Sequence, residues 1–264
     1  MYAAISTTFR DLGSPVKPTD VGLPVKIRAC LFDLDGVLTD TAHVHAAAWK
    51  EMFDAYLRKR AACTGGEFVA FDSAADYHEY VDGMSRYDGV GSFLASRGIE
   101  LPPGASTDPP EVETIAGLGN RKNEVVLAMI RGGGVAAYTG SVRYVQAARR
   151  AGLACAVVSA SANCAEILAA AGIDALFEVR IDGVVAEREG LRGKPEPDTF
   201  LAAAGALDVP APQAAVFEDA LAGVAAARAG GFFVVGVDRS GQAEALRAHG
   251  ADTVVSDLDD LLER

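Results

Sequence analysis

Short apolar runs punctuate the chain at 27–32, 154–159, 214–217, 232–237 and 253–255, and most lead into longer Ala- and Leu-rich segments with helical spacing. Strand-length apolar runs alternating with helices predict an α/β fold, a parallel sheet covered by helices. Helix punctuation agrees. The segment 161–171 stops at Gly172, 197–204 begins among the prolines Pro195 and Pro197, and 219–229 stops at Gly230 and Gly231.

Between the first run and the second lies a stretch far longer than the crossover that joins adjacent parallel strands, and it holds no comparable β-rich run. An inserted helical domain is expected. Its first helix follows Thr39, Asp40 and Thr41, residues suited to capping, and carries Trp49, Met52, Phe53, Tyr56 and Leu57 on one stripe. His45 lies one turn before Trp49. Gly- and Pro-bearing segments at 65–82 and 101–110 interrupt the insert, and 131–140, with four glycines, is expected to be the return hinge. The division expected is a discontinuous core, 1–40 and 137–264, with 1–26 as an N-terminal extension, and a helical cap at 41–136.

The chain has 264 residues, half of them hydrophobic, and no run of about 18 uncharged apolar residues that would span a membrane. The first twenty residues lack the basic start and apolar run of a signal peptide, so a cytoplasmic enzyme with no membrane partner is expected. The net charge of −12 has the wrong sign for nucleic-acid binding, so any phosphate bound should be small and locally held. Cys30, Cys63, Cys155 and Cys164 form no paired spacing and are expected to be reduced thiols.

The strongest chemical signal is Phe32-Asp33-Leu34-Asp35-Gly36, at the C-terminal end of the first predicted strand, where open α/β sheets place their ligands. Side chains two apart on a strand share a face, so Asp33 and Asp35 project together, and Gly36 permits a sharp turn. Two close carboxylates favour a cation or proton between them; one suits a nucleophile, the other a general acid and base. Glu218-Asp219 follows another apolar run, Ser159 ends a third, and Lys194 sits in Gly193-Lys194-Pro195. Four acids, a hydroxyl and a lysine at one sheet edge suit Mg²⁺ and a phosphate. Taken singly, Asp219, Ser159 and Ser161 suit helix capping and Lys194 a loop charge. That alternative leaves unexplained why every one of these polar residues is expected to end a strand that should otherwise be buried, all on the crevice side.

Asp33-Leu34-Asp35-Gly36, Ser159, Lys194 and Glu218-Asp219 resemble, in order and spacing, the four motifs of the haloacid dehalogenase superfamily, whose members have a Rossmann-like core and a mobile cap. The string 32–41, His45, Trp49-Lys50, Gly83-Met84-Ser85-Arg86, Arg121-Lys122-Asn123 and Ser159-Ala160-Ser161 with Asn163 resemble its β-phosphoglucomutase branch. The resemblance implies that Asp33 is phosphorylated, Asp35 moves the hydroxyl proton, and Ser159 and Lys194 hold phosphoryl oxygens. It implies Mg²⁺ held by Asp33, Asp35 through its carbonyl, Glu218 and Asp219. It implies a substrate-binding set of His45, Trp49, Arg86, Lys122, Ser161 and Asn163, with Arg86 on the phosphate not being transferred and Trp49 also serving as cap core.

The activity so implied interconverts β-D-glucose 1-phosphate and glucose 6-phosphate through a bound bisphosphate, glucose 1,6-bisphosphate. A sugar-phosphate phosphatase using the same nucleophile is the alternative, followed by a non-catalytic phosphosugar sensor. Ala162 stands where family members often carry a basic residue, and 65–82 is extra relative to compact caps. Gly132-Gly133-Gly134 follows a helical segment rather than a strand, so it is no dinucleotide loop. His43, His78 and His249 have no assigned role.

Overall fold

The computed structural model describes residues 17–133 and 135–262. Six strands, β1 (Ala29–Phe32), β2 (Ala154–Val158), β3 (Val179–Ile181), β4 (Ala214–Glu218), β5 (Phe233–Val237) and β6 (Thr253–Val255), form one parallel sheet in the order β3-β2-β1-β4-β5-β6. Between β1 and β2 lie α1 (Ala42–Thr64), α2 (Ala75–Tyr80), α3 (Arg86–Ser96) and α4 (Ile115–Gly133). The sheet is wrapped by α5 (Thr139–Arg150), α6 (Cys164–Ala170), α7 (Gly183–Glu189), α8 (Asp198–Ala206), α9 (Leu221–Ala229) and α10 (Ala243–His249).

The apolar runs become strands because helices cover both faces of the sheet. Cys30 and Phe32 of β1 point to one face, where Tyr144 of α5 and Phe217 pack, with the Phe32 and Phe217 rings stacked at 4.5 Å. Ala29 and Leu31 point to the other, against Phe200 of α8 and Val224 of α9. A parallel strand buried on both sides has no polar position to spare, which is why the runs are unbroken. From β1 the chain builds outward in both directions, so the strand order reverses between β1 and β4 and opens a crevice at their C-terminal ends.

The inserted helices have a core of their own. Phe53 of α1 lies 5.2 Å from the Trp49 ring, 5.2 Å from Phe71 and 4.2 Å from Phe93. The expected stripe of α1, Trp49 to Leu57, is buried there. Two crossings join this body to the sheet, 36–41 and 135–138. They pair at Thr39 and Ala137, with Asp40 N donating to Ala136 O and Tyr138 N to Leu38 O, each at 2.9 Å.

Four expectations need correction. The strand β3 is absent from the apolar runs because it has three residues and its middle one, Arg180, faces solvent. Helix α6 begins at Cys164 rather than 161, since Ser161 to Asn163 form a turn into the crevice. Gly132 and Gly133 belong to α4, so the return hinge is confined to the residues after it; Gly134 lies outside the described residues. Neither Thr39, Asp40 nor Thr41 caps α1 through its side chain, because the Thr41 hydroxyl is directed to Asp35 instead.

Residues 1–16 of the expected extension, and with them most of the segment read for a signal peptide, lie outside the described residues. Residues 17–26 dock on the sheet, with Val21 and Leu23 buried and Tyr144 Oη donating to Val21 O at 2.9 Å. No helix among the described residues is long and apolar enough to cross a membrane.

Truncating the aromatic that all its neighbours share leaves a cavity the surrounding rings cannot close. Phe53→Ala is expected to cost about 3–5 kcal/mol, read as a fall in the midpoint of urea unfolding, with exposed Val69→Ala changing it by less than about 0.5 kcal/mol.

Candidate active site

Asp33 is the first residue past β1, and its N–H donates to Phe217 O on β4 at 2.9 Å, which carries the ladder one step into the crevice. The chain then turns. Gly36 adopts φ 81°, and a Cβ there would lie 1.8 Å from Asp219 Oδ2, so only glycine lets the loops after β1 and β4 close on each other. Glu218 is the last residue of β4, and Asp33, Glu218 and Asp219 offer carboxylate oxygens within 4.8 Å of one another, all three buried. The Asp35 carboxylate stands apart from that group. It accepts a short hydrogen bond from Thr41 Oγ1.

Lys194 supplies the opposing charge. Its Nζ lies 2.5 Å from Asp33 Oδ1 and 2.7 Å from Glu218 Oε2. It comes from the loop between α7 and α8 and not from a strand end, so the expectation that each polar residue terminates a strand fails here. Burial works against the ammonium, but the charges of Asp33 and Glu218 outweigh it and hold the Lys194 pKa above the usual lysine range. Burial also raises the Asp33 carboxyl, with Lys194 opposing and Asp35 reinforcing the rise. Glu218 is pushed up by burial and by the Asp33 charge, and Asp219 by burial, then Asp82, then Glu218. Mutually repelling buried carboxylates of this kind are a donor set that a hard divalent cation would relieve.

Ser159, the first residue after β2, is buried, and its Oγ accepts from Ser161 N at 3.1 Å. Ser161 Oγ accepts from Asn163 N at 3.2 Å. These hydroxyls organise the turn ahead of α6, and the turn faces the crevice. Asn163 Nδ2 donates to Asn123 Oδ1 of α4 at 2.9 Å, a direct bond between sheet and cap.

The cap sits over these groups. Gly83 fits where a Cβ would meet the Ala220 Cβ at 2.9 Å. Lys122 of α4 is buried, 4.7 Å from the Trp49 ring centroid, and donates from Nζ to His45 Nδ1 at 2.9 Å. That bond leaves His45 Nε2 to carry the hydrogen, 3.6 Å from Asp35 Oδ1 and without a hydrogen-bond partner among the described residues. Burial lowers the His45 pKa well below its usual value, and the Lys122 charge adds to the effect, so the imidazole is neutral. Burial likewise brings Lys122 down to about 7, and raises Asp35 against the pull of the Thr41 hydrogen bond. Arg86, first residue of α3, reaches Tyr87 Oη with Nη2 at 3.2 Å, and Tyr87 Oη donates to Asn120 Oδ1 at 3.0 Å.

One cavity of about 750 Å³ is lined by every residue the sequence singled out: Asp33, Asp35, His45, Trp49, Arg86, Lys122, Ser159, Ser161, Asn163, Lys194, Glu218 and Asp219. It is also lined by residues that sequence reasoning passed over. Tyr77 and Asp82 come from the segment read only as an interruption, and the buried Thr199 Oγ1 has no partner among the described residues. Asp82 is held by His78, whose Nδ1 lies 3.1 Å from Asp82 Oδ2. Its position directly before Gly83-Met84-Ser85-Arg86 was the one available signal. His43 and His249 make local contacts, with Asp40 and with Ala245 O.

Residues 27–231 match the family model of haloacid dehalogenase-like hydrolases. A β-phosphoglucomutase of Mycobacterium tuberculosis is 57% identical over 251 residues, 94% of this chain and 96% of its own length. The β-phosphoglucomutase of Bacillus subtilis is 31% identical over 89% of this chain and 92% of its own. Among solved structures, a β-phosphoglucomutase from Clostridium difficile superposes with a TM-score of 0.66 at 26% identity, covering 89% of this chain and 93% of that one. A family model matched over most of the chain and a 57% identical relative aligned along nearly the whole length leave one assignment: the chain belongs to the haloacid dehalogenase-like hydrolases, in their β-phosphoglucomutase branch.

Proposed function

We propose that the protein is a Mg²⁺-dependent β-phosphoglucomutase that interconverts β-D-glucose 1-phosphate and glucose 6-phosphate, with Asp33 as the nucleophile and a glucose bisphosphate as the molecule that turns over within the site. The observation that carries this reading is a single cavity with basic side chains from both the core and the cap among its lining residues. Lys194, Ser159 and the acid cluster lie in the core, and Arg86 and Lys122 lie in the cap. A phosphatase needs to hold only the phosphate it cleaves, whereas a mutase must hold two. The 57% identical relative that bears the mutase name supports the same choice.

In this reading an Asp33 oxygen attacks phosphorus, and Lys194 Nζ and Ser159 Oγ hold the phosphoryl oxygens. Asp35, whose carboxyl burial raises above its ordinary value, gives its proton to the departing sugar oxygen and takes one from the hydroxyl that attacks in the second half. His45 Nε2–H faces Asp35 Oδ1, the oxygen that also accepts from Thr41, across 3.6 Å, with Lys122 behind the ring. Arg86 and Lys122 grip the other phosphate, for which the Arg86 fork is well suited. Ser161, Asn163 and Trp49 shape the wall between the two ends. The domain division follows the same logic: the insert from about 41 to 136 is the closing cap, and the remainder is the catalytic core.

Asp33, Glu218 and Asp219 are the side chains that would hold Mg²⁺, with the Asp35 carbonyl beside them. The ion would supply positive charge to the transferring group in a protein that is acidic overall.

Three outcomes test the proposal. Asp33→Asn is expected to lower turnover by at least about 10⁴-fold, measured as glucose 6-phosphate formed, with the fold intact by circular dichroism. Wild-type enzyme given Mg²⁺, β-glucose 1-phosphate and a trace of glucose 1,6-bisphosphate is expected to form glucose 6-phosphate well ahead of inorganic phosphate; rapid phosphate release without glucose 6-phosphate would assign a phosphatase. The third concerns pH. Lys122 is lowered to about 7, so its positive charge is present below that pH and lost above it. The value of kcat/KM, which reports the free enzyme, is therefore expected to fall as pH rises through about 7, and Lys122→Met to lack that limb.

A further inference from the structure

The loop after β5, residues 238–242, contributes no residue to the acid cluster or the cavity wall, yet it holds the backbone of both catalytic turns. Arg239 Nε donates to Gly36 O at 3.0 Å, and Gln242 Nε2 donates to Asp219 O at 3.0 Å. The remaining nitrogens of Arg239 are also committed. Nη1 reaches Ser256 O and Asp257 Oδ2, each at 2.9 Å, and Nη2 lies 3.5 Å from Ser141 Oγ. The guanidinium carbon sits 3.9 Å from the centre of the Tyr138 ring.

These partners are the machinery of the cap crossings. Tyr138 stands on the second crossing, and its hydroxyl donates to Asp40 Oδ1 on the first at 2.9 Å. Ser141 Oγ donates to Val37 O at 2.6 Å. Asp35, Gly36 and Thr39 form one tight turn, in which Gly36 N donates to Thr39 O at 2.9 Å and Asp35 bridges to Thr39. Any rotation of the crossings therefore pulls on the residue that moves the proton. Arg239 grips that turn at Gly36 and both crossings through Tyr138 and Ser141. Only a planar fork with a stackable face satisfies these partners at once; a lysine has one point of charge and no face.

We propose that Arg239 is a positioning residue that couples the cap crossings to the Asp35–Gly36 turn, and so sets how phosphorylated Asp33 divides its phosphoryl group between sugar and water. While the cap is open, water reaches the phosphoryl group; closure must bring Asp35 to the sugar hydroxyl before water is used. The transfer is a substitution at phosphorus in either case: the Asp33 oxygen–phosphorus bond breaks as a new oxygen–phosphorus bond forms, and the acceptor's proton passes to Asp35. A loosened turn admits water and delays the sugar.

The part concerning the acceptor rests on the mutase reading, so the test has two arms, both on the full chain. In the first, Arg239→Met and Arg239→Lys are compared with wild type by the ratio of inorganic phosphate to glucose 6-phosphate formed from β-glucose 1-phosphate with bisphosphate primer. The ratio is expected to rise about 10-fold, the scale of one charge-assisted hydrogen bond, with lysine giving little rescue. In the second, amide hydrogen exchange is expected to quicken at 36–40 and 136–141 while β1 and β4 keep their protection. An unchanged ratio, or exchange that rises equally across the sheet, would reduce Arg239 to a general stabiliser and overturn the proposal. Wild-type enzyme that makes only phosphate would overturn the mutase reading instead; the coupling then stands or falls on the exchange arm.

Discussion

The sheet ends in buried charge, and what makes that tolerable is Lys194. Asp33, Glu218 and Asp219 have lost most of their hydration and repel one another at close range, a combination that normally drives carboxyls to take up protons. Lys194 Nζ meets two of them at 2.5 and 2.7 Å. It also lies 5.1 Å from the Phe200 ring centroid, so its stem and charge are both accounted for within the protein. To reach this point the loop between α7 and α8 must fold over the C-terminal ends of β1 and β4. The placement of Asp33, of Glu218 and of the floor of the cavity follows from that one buried ion cluster.

The core was legible because burial on both faces leaves a strand no freedom: β1, β2, β4 and β5 all read as apolar runs, and the partly buried edge strand β6, Thr253–Val255, kept enough valine to read as one too. The strand β3 obeys a different rule, since at the sheet edge it can afford Arg180, whose Nε bonds Asp182 at 2.7 Å. The acids after β1 and β4 were legible for the same reason as the strands, as polar residues abruptly ending an apolar run. Lys194 carries no such mark. In the sequence it is a loop lysine between Gly193 and Pro195, and only the order of motifs gave it a place.

The cap was harder to read. Helical periodicity reveals the stripe of α1 because Phe53 and its neighbours must face a core. It says nothing about which polar residue turns inward over another domain. Asp82, Tyr77 and Thr199 reach the cavity through tertiary approach, and Thr41 gives up the cap of its own helix to bond Asp35. The Arg239 contacts join segments about a hundred and two hundred residues apart in sequence, with no periodicity to link them.

On the proposed reading, enclosure of the site and its proton chemistry are linked. Burial is the first cause of the rise at Asp35, the fall at His45 and the fall at Lys122. The imidazole between Asp35 and Lys122 is neutral for the same reason. In that reading, the enclosure that keeps water from the transferring group thus also sets the charge of the groups that surround it. The acid at Asp82 belongs to the same balance: burial is the main cause of the rise at Asp219 and the Asp82 charge adds to it, so positive charge placed among these acids would relieve their mutual repulsion.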